Sequence, residues 1–230
     1  MEKLLFLIPV IGYMVGAWLS TQGMHEVEVV VKGLSTASLV AIAAIFINLP
    51  EPYKWFIVGA VVLTLVGDIS LVAQKIPSLS SMGSTLFVVG LGSFLVGYLG
   101  YSITMFANRG GQLLTPEVGI PVLVVLAIGA GISVFQFISY TNLGEGLTVP
   151  VIAYLFQATL LLGAGALVIA TSNYNLSGWL FAVGAISLYV SDSLIGWNLF
   201  KDPLPNQGEF PIMITYAIGQ VGIIGALTLI

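Results

Sequence analysis

The sequence predicts an all-α membrane protein: a bundle of eight transmembrane helices forming one domain over residues 1–230. Three observations predict it. First, 58% of the residues are hydrophobic and only 7% are charged, with a mean hydropathy of +1.07. Soluble domains carry about 25% charged residues, so this chain cannot cover a water-facing surface. Second, eight segments approach the roughly 20 apolar residues that one membrane crossing needs. Third, turn formers and most of the charge fall between those segments.

The spans read 3–20, 27–47, 55–73, 84–106, 119–139, 148–170, 176–200 and 210–230. The first begins at Lys3, as a signal peptide would, but has no small-x-small cleavage site and is long enough to cross, so it reads as a retained helix. Asn48-Leu49-Pro50-Glu51-Pro52 separates the second span from the third, and Gln74-Lys75-Ile76-Pro77-Ser78 the third from the fourth. Asn108-Arg109-Gly110-Gly111 follows the fourth, residues 171–175 follow the sixth, and Lys201-Asp202-Pro203 follows the seventh. Pro and Gly end helices at these points, where water satisfies the freed backbone. Trp18, Tyr53, Trp55, Trp179 and Trp197 suit interfacial belts. Lys3, Lys54 and Arg109 against Lys75 and Lys201 give a three-to-two vote for both termini inside. Glu26, Glu28, Glu145, Asp202 and Glu209 are read as loop acids of the other face, and His25 as a solvated loop residue.

Composition also excludes functions. There is no cysteine, hence no disulfide or thiolate-metal site, and a single histidine rules out a multi-histidine metal centre. No cofactor is expected. A net charge of −4 argues against a nucleic-acid partner, since no basic patch neutralises phosphates.

Against this apolar background Asp68 and Asp192 stand inside membrane spans, each thirteen residues after a tryptophan, Trp55 and Trp179. An ionisable side chain at that depth costs about 2.5–3.5 kcal/mol on insertion scales and marks a functional site by default. Alternating helix direction sets Lys32, Asp68, Tyr154 and Asp192 at one depth, roughly 8–12 Å below one surface. Tyr98, Tyr101, Tyr216 and Gln220 fall nearer the middle, as a floor. Spans three and seven share the Trp-to-Asp spacing and a Gly-Ala pair, Gly59-Ala60 and Gly184-Ala185, compatible with two parallel four-helix repeats. Gly59, Gly67, Gly92 and Gly97 read as helix contact points.

Five elements in series carry a family resemblance: Lys32-Gly33-Leu34-Ser35; Gly67-Asp68; Gly90-Leu91-Gly92-Ser93-Phe94-Leu95-Val96-Gly97-Tyr98-Leu99-Gly100-Tyr101; Ser191-Asp192-Ser193; and Tyr216 to Gln220. Together they resemble the YhhN-like lysoplasmalogenase family of multi-pass membrane hydrolases. Two positions depart from its pattern: Tyr98 stands where that family has histidine, and Gly33 where it has proline. The resemblance implies hydrolysis of the vinyl ether bond of a lysoplasmalogen to fatty aldehyde and glycerophospho-base. It also implies a lysophospholipid substrate among membrane lipids, and a bacterial inner membrane as the setting.

Vinyl ether hydrolysis needs an acid that protonates carbon and a negative group that stabilises the resulting cation and activates water. Two carboxylates in one apolar chamber divide that labour, as in glycosidases. Asp68 and Asp192 are therefore the candidate catalytic pair. Lys32 is expected to hold substrate phosphate or keep one aspartate ionised, while Tyr98, Tyr154, Tyr216, Gln220 and Ser191 orient head group or water. The alternative is a transporter of a small solute, proton or cation through the same acids. An intramembrane aspartyl protease is disfavoured, because its Gly-x-Gly-Asp motif fails at Leu65.

Overall fold

The computed structural model of the protein describes residues 2–141, 143–144 and 146–229. Glu145, Ile230 and the Lys3 side chain lie outside the described residues. The eight predicted spans are present as helices in order: α1 (Leu7–Thr21), α2 (His25–Phe46), α3 (Tyr53–Ala73), α4 (Gly83–Arg109), α5 (Pro116–Ser139), α6 (Thr148–Thr171), α7 (Leu176–Phe200) and α8 (Glu209–Leu227). Their ends differ from the sequence reading by four residues or fewer.

Seven of the eight are long and apolar enough to cross a membrane, and α1, with 15 residues, is the short one. Its start is cut by Pro9. Proline has no N–H for the Leu5 carbonyl and its ring crowds that group. The predicted first helix therefore splits into a single turn, Glu2–Leu5, and α1 proper.

Local sequence sets the other ends. Pro116 stands at the first position of α5, where its missing N–H costs nothing. Asn175 caps α7 by accepting from the Gly178 N–H at 3.0 Å. Gly208 precedes α8 with φ +69°, in the left-handed region that glycine adopts without strain. At the start of α2 the helix begins earlier than expected, so His25, Glu26 and Glu28 lie on it rather than in a loop.

Successive helices pack side by side except α4 and α5, with α3 on α4 and α7 on α8 the most intimate pairs. Contacts of α4 with α6 and of α1 with α8 close these into a ring, and α5 lies against α6 on the outside. Lipid-facing stripes are apolar, as Phe210, Ile214 and Ile218 of α8 show. The polar side chains turn inward instead.

Between the intimate pairs, glycines let backbones approach. A Cβ at Gly97 would come within 2.9 Å of the Ala60 carbonyl, and one at Gly184 within 2.9 Å of both the Gly219 carbonyl and the Ile223 nitrogen. Gly67 likewise lies under the Phe94 ring. Gly59 and Gly92 meet nothing within 4 Å, so two of the four expected contact glycines are not contacts. The shared Gly-Ala pair of α3 and α7 thus does different work in its two copies.

That difference is measurable. Gly184→Ala should lower the unfolding temperature in detergent, because overpacking against fixed backbone costs about 1–3 kcal/mol. Gly59→Ala should leave it unchanged or raise it, gaining up to about 1 kcal/mol of helix propensity.

Candidate functional site

Asp68 sits near the C-terminal end of α3, pointing into the bundle and 5% exposed. Hydrocarbon supplies no water, so its carboxylate has to be satisfied by neighbouring side chains. Its Oδ2 accepts from the Thr36 hydroxyl of α2 and from the Tyr216 hydroxyl of α8, the latter at 2.9 Å. Thr36 has one proton and gives it to Asp68, so the Tyr13 hydroxyl donates to Thr36 at 2.8 Å. Behind Tyr216, Gln220 donates to its oxygen at 3.2 Å and accepts from the Tyr101 hydroxyl at 3.0 Å. One carboxylate thereby gathers groups from α1, α2, α4 and α8.

Asp192 on α7 is half-buried and accepts from the Tyr154 hydroxyl of α6. Both aspartates line a single cavity of about 450 Å³. The Tyr98 hydroxyl lies within electrostatic reach of both carboxylates. Lys32, Tyr98, Tyr154, Tyr216 and Ser191 also line the cavity; Gln220 and Tyr101, expected at the floor, do not, and sit behind Tyr216. Ser191 is fully buried and its hydroxyl donates to the Ile212 carbonyl at 3.2 Å, which ties α7 to α8.

The cavity walls are apolar: Phe87 and Leu91 of α4, Val151 and Leu155 of α6, Ile195 and Leu199 of α7. Its floor is aromatic. Phe94 and Tyr216 meet edge to face with centroids 5.8 Å apart, Tyr13 meets Tyr216 at 5.1 Å, and Tyr98 stacks on Tyr101 at 6.2 Å. The C-terminal ends of α3, α5 and α7 and the N-terminal halves of α4, α6 and α8 surround it, so it opens toward the face opposite the termini.

Several lining groups carried no signal in the span-by-span reading. On the α5 side Gln136 donates to Ser193 at 2.6 Å, and the Ser133 and Tyr189 hydroxyls lie 2.9 Å apart. Just past the end of α5, burial pushes the Tyr140 phenol up to about 12, with Tyr189 and Asp192 adding to the shift. It therefore remains a proton donor at neutral pH.

At the mouth the charges pair with one another. Lys32 donates to Glu28 at 2.6 Å, and His25 lies 2.9 Å from the other Glu28 oxygen. Lys75 donates to Glu209 at 2.5 Å and to Ser20 at 3.0 Å. Glu28, read from the sequence as a loop acid, is fully buried, and Glu209 is the first residue of α8. His25, read as solvated, opens α2 against Glu28. The Glu28-to-Lys32 spacing of four residues was the available signal, since such pairs share a helix face.

An eight-helix membrane bundle with two acids lining one cavity defines a multi-pass membrane protein with a built polar site. The chain belongs to the YhhN family, whose model matches residues 27–227. No curated protein and no solved structure matched it.

Tyr216→Phe removes one donor from Asp68 and the acceptor of Gln220 together. It should destabilise the protein by about 1–3 kcal/mol, the cost of leaving buried polar groups unpaired. Denaturant or thermal unfolding in detergent measures this, with Ser38→Ala, at a half-buried hydroxyl outside the cavity, as the mild comparison.

Proposed function

We propose that this protein hydrolyses the vinyl ether bond of lysoplasmalogen-type lysophospholipids, releasing a fatty aldehyde and a glycerophospho-base. The observation that carries the proposal is the placement of Asp68 and Asp192 on one cavity with apolar walls and a charged mouth. A single hydrocarbon chain suits those walls, and its head group suits the mouth.

Hydrolysis begins when a proton is added to the vinyl carbon remote from oxygen. The carbon bonded to oxygen becomes an oxocarbenium ion, water adds there, and the hemiacetal collapses to aldehyde and alcohol. Asp192 borders the cavity and takes a single hydroxyl donor, so it is assigned the proton delivery. Asp68 takes two hydroxyl donors and faces the Lys32 charge, contacts that favour its carboxylate against the cost of burial. It is assigned the stabilisation of the cation and the acceptance of a proton from water. Asp68 then holds a proton that Asp192 lacks, and its return resets the pair. This is the division that paired carboxylates make around an oxocarbenium-like transition state.

Lys32 does not serve as an unpaired phosphate anchor in this reading. Its ammonium is already matched by Glu28, so its role toward the reaction is the field it exerts on Asp68. The rival reading, transport of a solute or cation by the same acids, needs access from both faces. The aromatic floor, locked by the Tyr101–Gln220–Tyr216 hydrogen bonds, supports a cavity entered from one face. A bacterial inner membrane is the setting we infer, on the resemblance alone.

Purified protein given a lysoplasmalogen should release fatty aldehyde, and should leave an ester-linked lysolipid intact. In D₂O the aldehyde should carry one deuterium on the carbon next to the carbonyl, the mark of protonation at carbon, read by mass spectrometry. Asp68→Asn and Asp192→Asn should each lower kcat by about 10²–10⁴. Full activity in both variants, or aldehyde without deuterium, overturns the mechanism.

A further inference from the structure

The charged mouth is more than the catalytic pair requires. Lys32, Lys75, Glu28 and Glu209 come from α2, the end of α3 and the start of α8, and lie 2.5–4.0 Å from one another. Glu28 is fully buried, Lys32 is 3% exposed, and Glu209 and Lys75 are largely covered. Holding four charges in such a place is costly unless each is matched, and replacing buried pairs by apolar residues is often neutral or stabilising. Structure alone does not demand this cluster.

Three of the four, Lys32, Lys75 and Glu209, line the cavity. Glu28 lies off the cavity and holds Lys32 in place, whereas Lys75 and Glu209 both line it and bond to each other at 2.5 Å. Lys75 follows the C-terminus of α3, and Glu209 is the first residue of α8. Formally the four charges sum to zero, two lysines against two glutamates. A ligand carrying net charge would leave one of them unmatched, whereas a zwitterion exchanges charge for charge.

We propose that Lys75 and Glu209 are the head-group subsite. Their mutual bond opens to take a zwitterionic phospho-base, with the phosphate on Lys75 and Ser20 and the ammonium on Glu209. This rests on the lysophospholipid reading above and adds to it the residues that select the head group. The bond between the two side chains then closes the rim when no head group is present.

The test uses the purified full chain in detergent and alkyl lysophospholipids, whose saturated ether is not cleaved. Binding is read by competition with a fluorescent lysolipid for three heads: phosphocholine, phosphoethanolamine and a bare phosphate monoester. The wild type should prefer the phospho-bases over the monoester by about tenfold or more. Glu209→Gln should abolish that preference, and Lys75→Gln should weaken all three heads by about tenfold or more. The double variant Lys75→Gln with Glu209→Gln removes both charges together and leaves Lys32 matched by Glu28. It should keep more thermal stability than either single variant while the wild-type preference stays lost. Soluble glycerophosphocholine should compete far more weakly than the lipid; equal competition would assign the subsite to a soluble ligand and overturn the proposal.

An unchanged ratio of head groups in Glu209→Gln overturns the subsite, as does a preference that tracks melting temperature rather than charge. Aldehyde release from a lysoplasmalogen by the same preparations keeps the two proposals apart. Release with an unchanged ratio leaves hydrolysis standing without this subsite. A lost preference in protein that releases no aldehyde leaves the subsite standing without hydrolysis.

Discussion

A carboxylate below the membrane surface has to be satisfied by protein groups, and at Asp68 that requirement organises the bundle. Its two donors come from helices that are distant in sequence, Thr36 on α2 and Tyr216 on α8. Each donor is itself oriented from behind, Thr36 by Tyr13 and Tyr216 by Gln220 and Tyr101. Satisfying one oxygen atom therefore fixes the relative placement of five helices. In hydrocarbon, apolar side chains gain little by leaving lipid for one another, so hydrogen bonds and close packing carry a larger share of helix association. The same network that answers the cost of the charge thus also builds the cavity floor.

The two aspartates occupy equivalent places on α3 and α7 but unequal surroundings. Each has a partner from the preceding even-numbered helix, Lys32 and Thr36 of α2 beside Asp68 and Tyr154 of α6 beside Asp192. Asp68 alone also draws a donor from α8. The asymmetry has a packing origin, because α1 closes against α8 whereas α5 lies outside against α6. Both acids line the cavity, but Asp68 is the more enclosed by hydroxyl donors. The acid chemistry we propose, divided between two carboxylates, needs unequal environments of this kind.

Much of this was legible before any coordinates, because a membrane imposes strong rules. Span length, breaker residues and alternating direction placed Lys32, Asp68, Tyr154 and Asp192 at one depth, and all four line the cavity. Much of what escaped lies near a helix end. Glu28 looked like a loop acid because charge before an apolar run usually marks a loop; α2 starts at His25, with only three residues between it and the end of α1 at Thr21, and buries it. Glu209 and Lys75 escaped for a further reason, since their meeting depends on how α8 returns beside α3, a long-range matter that spacing does not encode. Thr36 was missed though it lies one turn from Lys32 on the face that bears the site; a threonine inside a helix carries no charge to flag it, and it often serves only its own backbone.

The ion cluster at the mouth and the hydroxyl network at the floor solve the same problem by different means. At the floor a charge is met by neutral donors that cannot leave, since Tyr13, Tyr101, Tyr216 and Gln220 are all buried and interlocked. At the mouth charge is met by opposite charge on long, partly exposed side chains, Lys75 and Glu209, which can swing apart without disturbing a helix. Under the proposed reading the bundle holds its geometry at the floor and exchanges partners at the mouth. That gradient, from interlocked hydroxyls to exchangeable ion pairs over the depth of one leaflet, suits a ligand whose polar head stays at the surface while its chain and reactive bond reach the acids below.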